Sequence, residues 1–376
     1  MLSKLKVQHY KSLFDSEIDL EPLTVFIGPN GSGKSNICEA LFVLSDFFQR
    51  ITDVSSHNLG SDFFSQSLKA VNKKHLDIES KFWHRNLDFI SIMASNRGKE
   101  HFRSAPIFDI SVSFNYPQKK FFIAYGGRKI EELEDTKNSQ SILRAWLDKV
   151  SYHISLISRD VSKICIYDFN PFNLSDEVSS TDSMERTGQG IAYALADILF
   201  SNRKSFDELE ERLRSLVPNI QRISLLRGKN QTFSLQLVDK YSETPIPTSD
   251  ISDGTLRILA FLTALYQEDA PSIICFEELE NGVHPWLLHK MMELLKLVST
   301  EGITGKPVQV LITTHSPTLL NYVEPHQVRA VELDNEGKTQ VHNLPTDSVR
   351  FQKALEAYDG SLGELWFTNQ FGGNPA

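Results

Sequence analysis

Residues Gly28-Pro29-Asn30-Gly31-Ser32-Gly33-Lys34-Ser35 fit the pattern G-x-x-x-x-G-K-[ST]. In such a run the glycines let successive backbone N–H groups curl around an anion, while the lysine supplies a cation and the hydroxyl a hard oxygen ligand. The flanks give the context this pattern requires. Leu23 to Ile27 is an apolar run that reads as a buried strand, and Ile37, Leu41 and Leu44 fall at helical spacing over residues 34–48. Strand, glycine turn and helix in that order make a phosphate-binding loop, with the helix bringing its positive dipole end beneath the phosphates. A chance glycine turn would lack both flanks. The spacing assigns Lys34 to the β- and γ-phosphates of ATP and the Ser35 hydroxyl to Mg²⁺. Asn30, Gly31, Ser32, Gly33 and Asn36 complete the expected nucleotide contacts.

A second stretch, Ser272-Ile273-Ile274-Cys275-Phe276-Glu277-Glu278, is an apolar run ending in two acids. Phosphoryl transfer needs a carboxylate near the metal and a group that positions the attacking water. Parallel strands deliver such groups at their carboxyl ends, where ligands of open α/β sheets bind. Glu277 is therefore assigned to the metal shell and Glu278 to water activation. The competing reading is that these acids, with Glu280 and His284-Pro285, simply open a helix; the phosphate loop elsewhere in the chain favours the first.

The remainder sets limits. At 376 residues, with 40% hydrophobic and 23% charged residues, the chain has ample material for a sizeable core. A net charge of -9 argues against a generally basic nucleic-acid binder, without excluding a local basic groove. Cys38, Cys165 and Cys275 are scattered, match no zinc spacing and suggest a reduced, cytoplasmic chain. Neither a signal peptide nor a long apolar span is evident. The middle of the chain is less regular. Strand-like pieces lie at 75–82, 107–114, 121–125 and 164–167, helical pieces at 141–156, 190–200 and 206–216, and a polar loop at 173–186. Beyond about residue 245 the chain alternates helix and strand, which implies a parallel sheet flanked by helices. The expected division is thus a core of 1–50 and 245–376 with an inserted α+β lobe, 51–244. Lys73-Lys74, Lys119-Lys120 and Arg128-Lys129 would line a DNA groove or be ordinary solvated lysines; Glu131, Glu132 and Glu134 beside them favour the latter.

Two further segments carry a family resemblance. Ser252-Asp253-Gly254-Thr255-Leu256-Arg257 resembles the signature motif of ABC ATPases in its S-x-G-x-x-R form, and Thr313-Thr314-His315-Ser316-Pro317 resembles their switch histidine. Glu280 to Pro285 is similar to the loop after the acidic strand, and Tyr10-Lys11-Ser12 to the N-terminal strand turn. The set points to the RecF/SMC/OLD-like branch of AAA-type ATPases, and Leu362 to Phe367 with Gly372-Gly373 resembles the end of a group of small ATPases there. The resemblance implies a P-loop ABC-type head with a mixed or parallel central sheet. It also implies that Ser252, Asp253 and Gly254 act in trans on ATP held by a second copy, with His315 sensing the γ-phosphate. Glu277 departs from the family, whose metal-shell residue is usually Asp, and the glutamine that follows the first helix has only Gln49 and Gln66 as candidates.

The functional expectation is a cytoplasmic ATPase that forms a homodimer or higher homo-oligomer on ATP. It would control a separate effector, a nuclease by analogy with OLD proteins, in antiphage defence or DNA repair, with DNA as a further candidate partner and no membrane. Two other classes are a nucleotide-bound scaffold or sensor with negligible turnover, and a transporter subunit. The transporter would show a shorter spacing between phosphate loop and signature, and no inserted lobe.

Overall fold

The computed structural model describes residues 1–52, 89–96, 108–115, 120–125, 128–134, 161, 163–175, 183–228, 232–267, 269–303 and 305–373. Contacts divide the chain into two compact units. The first is Met1–Cys165, Pro271–Cys275 and Val308–Ala376; the second is Ile166–Ala270 and Phe276–Pro307. This division cuts across the core-and-insertion scheme expected from the motifs. Strand pairing ties part of the middle to the N-terminus, while the signature segment packs with residues 166–244.

The first unit carries one sheet whole and most of a second, of which residues 166–167 and 276–277 are counted in the second unit. In one, β1 (Lys4–Tyr10), β2 (Leu13–Asp19), β4 (Phe89–Asn96), β5 (Phe108–Asn115), β6 (Lys120–Tyr125) and β7 (Arg128–Glu134) run antiparallel in the order β2-β1-β4-β5-β6-β7. β1 alternates buried Leu5 and Val7 with half-buried neighbours, the period-2 pattern of a sheet with one covered face. The register makes Lys120 the partner of Glu134; Lys73, Lys74 and Lys119, the 75–82 strand, the 141–156 helix and Gln66 lie outside the described residues.

The other sheet has the order β15-β14-β3-β13-β12-β8, from β3 (Leu23–Ile27), β8 (Ile164–Tyr167), β12 (Ile273–Glu277), β13 (Gln309–Thr314), β14 (Val328–Leu333) and β15 (Thr339–Asn343). β3 pairs in parallel with β13 and β14, and β15 closes the edge antiparallel to β14. Every residue of β3, β12 and β13 is buried, as expected of strands covered on both faces. α1 (Lys34–Thr52) packs on β1, β4 and β13 and runs longer than its apolar spacing predicts. The two sheets are stitched by Arg329, 2% exposed, whose Nε donates to Asp19 O at 2.7 Å with Glu21 nearby; burial lowers its pKa. The C-terminal glycines fold back: Gly373 N donates to Glu332 Oε2 at 3.0 Å and Trp366 Nε1 to Gly373 O at 3.1 Å.

The second unit is built around one helix. Between α1 and it come α2 (Pro171–Leu174), α3 (Ile191–Ser201) and α4 (Arg203–Leu216), and then α5 (Asp253–Tyr266). Ten residues of α5 are buried, nearly all of it beyond the first turn, because α2, α3 and α4 surround it. A three-stranded antiparallel sheet, β11-β10-β9, from β9 (Ile220–Arg227), β10 (Phe233–Asp239) and β11 (Pro245–Pro247), packs on α3 and α4. α6 (Pro285–Thr300) follows the acidic strand. The polar stretch at 173–186 is loop only in part, since its first residues end α2.

Candidate functional site

In the first unit, the loop expected to hold phosphate lies between β3 and α1. Gly31 and Gly33 take φ of +77° and +100°, conformations that side chains with a Cβ disfavour. Gly33 has a second constraint: a Cβ there would sit 2.1 Å from Thr339 Oγ1 and 2.7 Å from Ser12 Oγ. Gly28 is equally confined, its Cβ position lying 2.0 Å from Val331 O. A Cβ at Gly31 would meet no atom of the described residues beyond its chain neighbours within 4 Å, so the loop tip is open on that side.

Polar contacts brace this loop from behind. Thr339 Oγ1 donates toward Ser32 O at 2.8 Å and lies 2.7 Å from Ser12 Oγ, which also accepts from Asn36 Nδ2 at 2.7 Å. Thr339 N donates to Ser12 O at 2.8 Å. Lys11, beside Ser12 in the β1–β2 turn, pairs with buried Glu39 of α1. Lys34 is buried, and its Nζ donates to Gly28 O at 2.9 Å and Pro29 O at 2.8 Å. Ser35 and Asn30 are exposed. Ser32 Oγ is buried with no hydrogen-bond partner among the described residues. An unsatisfied buried hydroxyl, an ammonium folded onto loop carbonyls and an open glycine tip are what a polyphosphate would complete, so these residues fit a nucleotide.

His315 belongs to the same unit. The β3–β13 register pairs Thr314 with Ile27, so His315 and Gly28 leave adjacent parallel strands at the same level. Ser316 N donates to Thr314 Oγ1 at 2.9 Å, which shapes the turn into α7 (Pro317–Leu320). Two helices, α8 (Val349–Ala357) and α9 (Leu362–Phe367), end the chain. Gly363 of α9 presses on the turn after His315; its Cβ position lies 2.5 Å from Pro317 O.

The second unit gathers the acidic and signature segments. Glu277 ends β12 with 9% of its surface exposed, and its carboxylate is ion-paired with Arg186. Glu278 follows at φ +47°, a left-handed conformation that costs a residue with a Cβ about 1–2 kcal/mol. Asn281 holds it there: Asn281 N donates to Glu278 O at 2.9 Å, and Asn281 Nδ2 donates to Glu278 Oε2. Non-glycine residues in such conformations concentrate at functional sites. Gly282 approaches the signature closely, a Cβ on Gly254 falling 2.5 Å from Gly282 O. Gly254 therefore serves close packing as well as any anion. Ser252 is the N-cap of α5, its Oγ accepting from Thr255 N at 3.3 Å, and both Ser252 and Asp253 are exposed. Arg257 runs along Gly282, and its buried Nε has no partner among the described residues. It lines a small cavity with Phe261, Glu277, Glu278 and Val283.

The sequence reading missed three contributors. Thr339 sits far along the chain in an unremarkable strand. Ser12 reads in the sequence only as part of a turn, and Arg186 only as the end of a polar loop. No local pattern distinguishes any of them; each acquires its contact through tertiary folding.

A mixed sheet with a glycine loop after β3, an acid pair after β12 and a serine-capped signature helix defines an ABC-type ATPase of the RecF/SMC/OLD branch. The chain belongs to the family described as "AAA domain, putative AbiEii toxin, Type IV TA system", whose model matches residues 23–321. It is 24% identical over 353 residues to an ATP/GTP phosphatase of Helicobacter pylori, covering 86% of this chain and 88% of that protein. The RecF DNA replication and repair protein of Colwellia psychrerythraea is 32% identical over 132 residues, 34% of this chain and 33% of that one. An OLD nuclease of Thermus scotoductus is 36% identical over 66 residues, 17% of this chain and 12% of that one. Among solved structures, the SmcHead bound to the C-winged helix domain of ScpA superposes with a TM-score of 0.60 at 15% identity, covering 93% of this chain and 99% of that one. No described helix is long and apolar enough to cross a membrane.

Proposed function

We propose that this ATPase works as a head-to-tail pair closed by ATP, and that the closed pair controls a separate effector protein. The observation that carries the reading is the presence of two anion-type helix starts in one chain. One is the loop of Gly28–Ser35; the other is α5, whose cap Ser252 and first residue Asp253 are exposed. Residues Asn30 to Asn36 would grip the triphosphate of one copy, and Ser252, Asp253 and Gly254 of the second copy would complete it. Close packing of Gly254 on Gly282 supports this, because it would couple the signature to the loop after the acidic pair.

In this scheme the Lys34 ammonium exchanges the Gly28 and Pro29 carbonyls for phosphate oxygens. A Mg²⁺ ion held through Ser35 and Glu277 would neutralise phosphate charge. Glu278 orients the attacking water and takes its proton on the carboxylate, its position fixed by Asn281. His315 hydrogen-bonds the γ-phosphate. The glutamate at 277, a methylene longer than the usual aspartate, would slow turnover rather than prevent it.

The relatives supply the biological direction. A repair protein, a nuclease and a family described by a toxin system support control of a nuclease effector in antiphage defence or DNA repair, in the cytoplasm. The Smc heads, bound to a domain of ScpA, show a head of this fold engaging a separate protein. The test is sedimentation of a Glu278→Gln variant with Mg·ATP. It is expected to form a stable pair, which a further Ser252→Arg substitution abolishes while each copy still binds nucleotide. A strictly monomeric ATP-loaded Glu278→Gln protein would refute the pairing. DNA cleavage by the purified chain alone would refute the separate effector.

A further inference from the structure

Arg186 belongs to none of the motifs, yet its Nη2 donates to Glu277 Oε2. Burial divides the pair unequally: the Glu277 side chain is 6% exposed and that of Arg186 33%. The carboxylate lines a small cavity at the end of β12 with Phe169, Arg257, Phe261, Phe276 and Glu278. The guanidinium reaches water by rotating its own side chain.

The backbone carrying Arg186 is fixed. Asp168 N donates to Arg186 O at 2.8 Å, Asn170 N to Thr187 O at 3.0 Å, Glu185 N to Gln189 O at 2.8 Å and Gly188 N to Glu185 O at 2.8 Å. Gly188, at φ +90°, lies so close to Leu174 that a Cβ would meet Cδ2 at 2.3 Å. A hydrogen-bonded turn therefore presents a partly exposed guanidinium to a buried carboxylate.

A buried carboxylate needs a cation beside it. A divalent ion and a guanidinium compete for the same oxygens, and the guanidinium is the more exposed partner of the pair. We propose that Arg186 is the resident counter-ion of Glu277, a positioning residue that yields when a divalent cation arrives with the nucleotide. This inference rests on the reading of Glu277 as the metal-shell carboxylate.

The test compares the Kd of a fluorescent ATP analogue in EDTA with its Kd in Mg²⁺, without reference to turnover. Arg186→Gln should raise the EDTA/Mg²⁺ ratio about tenfold over wild type, or about 1.4 kcal/mol of added coupling. The divalent cation then has no guanidinium to displace, and without it Glu277 lacks its ion pair with Arg186. Arg186→Lys should stay near the wild-type ratio. A merely structural Arg186 would shift both Kd values equally, so an unchanged or smaller ratio overturns the proposal. Glu277→Gln should lower the ratio below wild type; if it leaves the ratio at the wild-type value, the fault lies in the metal-shell reading itself. The double variant Arg186→Gln/Glu277→Gln carries no uncompensated buried charge, which secures folding. It should match Glu277→Gln alone, and any further change produced by the arginine substitution in that background shows that Arg186 does not act through the carboxylate.

Discussion

Replacing Gly33 by alanine asks whether the phosphate loop is braced by Thr339 as the geometry indicates. Gly33 sits at φ +100°, and the new Cβ would lie 2.1 Å from Thr339 Oγ1. The left-handed backbone costs about 1–2 kcal/mol. Relief of the clash requires Thr339 to turn away from Ser32 O and Ser12 Oγ, and losing those two bonds costs about 1 kcal/mol each. The expected loss is therefore roughly 3–4 kcal/mol of local stability, summed from those same terms. Thr339→Ala alone should cost about 2 kcal/mol, from the same two bonds. In the double variant both bonds are already gone and the clash with Thr339 is removed, leaving the contact with Ser12 Oγ common to both backgrounds, so the sum of the single effects should exceed the double by about 2 kcal/mol. Native-state hydrogen exchange over residues 23–41 reads the opening of this region directly. Additivity within about 0.5 kcal/mol would refute the contact between Gly33 and Thr339 as the source of the effect.

Other outcomes rest on single contacts. Lys34→Ala removes a charged donor and should weaken binding of an ATP analogue by about 10- to 100-fold, equivalent to one or two charge-assisted hydrogen bonds; an unchanged Kd would place the phosphates elsewhere. Glu278→Gly should relieve the strain at φ +47°, raising stability by about 1 kcal/mol in urea unfolding while abolishing phosphate release. A loss of stability would show that the Asn281 contacts outweigh the strain. Arg329→Leu should cost about 3–5 kcal/mol, since it leaves polar partners behind in a buried position; a near-neutral urea midpoint would contradict that burial. Asp239, whose carboxylate accepts from Ser242 and Tyr241, has a lowered pKa. Its folded pKa being below its unfolded value of 3.8, the turn gains stability above that value and loses it as pH falls through the folded one. Exchange protection of residues 239–244 should accordingly decline below about pH 4, and should lose that dependence in Asp239→Asn.

What the linear chain determined was every feature with a local physical signature. Strand β3, the glycine loop and the start of α1 were legible because apolar runs, obligatory glycines and helical spacing fall within a few residues of one another. The acid pair after β12 and the cap at Ser252 were legible for the same reason, although the sequence alone left Ser252 open as an ordinary helix cap, and the structure shows that cap geometry in place. Tertiary structure decided what depends on residues far apart. The pairing of β4 with β1, 85 positions apart by Lys4 and Phe89 at their starts, draws part of the middle into the first unit. Nothing near Thr339 distinguishes it from any other strand threonine until the β14–β15 hairpin carries it behind the phosphate loop. Arg186 likewise became the counter-ion of Glu277 only because a glycine turn folds a polar segment back onto the end of a buried strand. Backbone conformation and apolar periodicity are written locally, whereas the pairing of buried charges and the bracing of a loop require chain segments that only folding brings together.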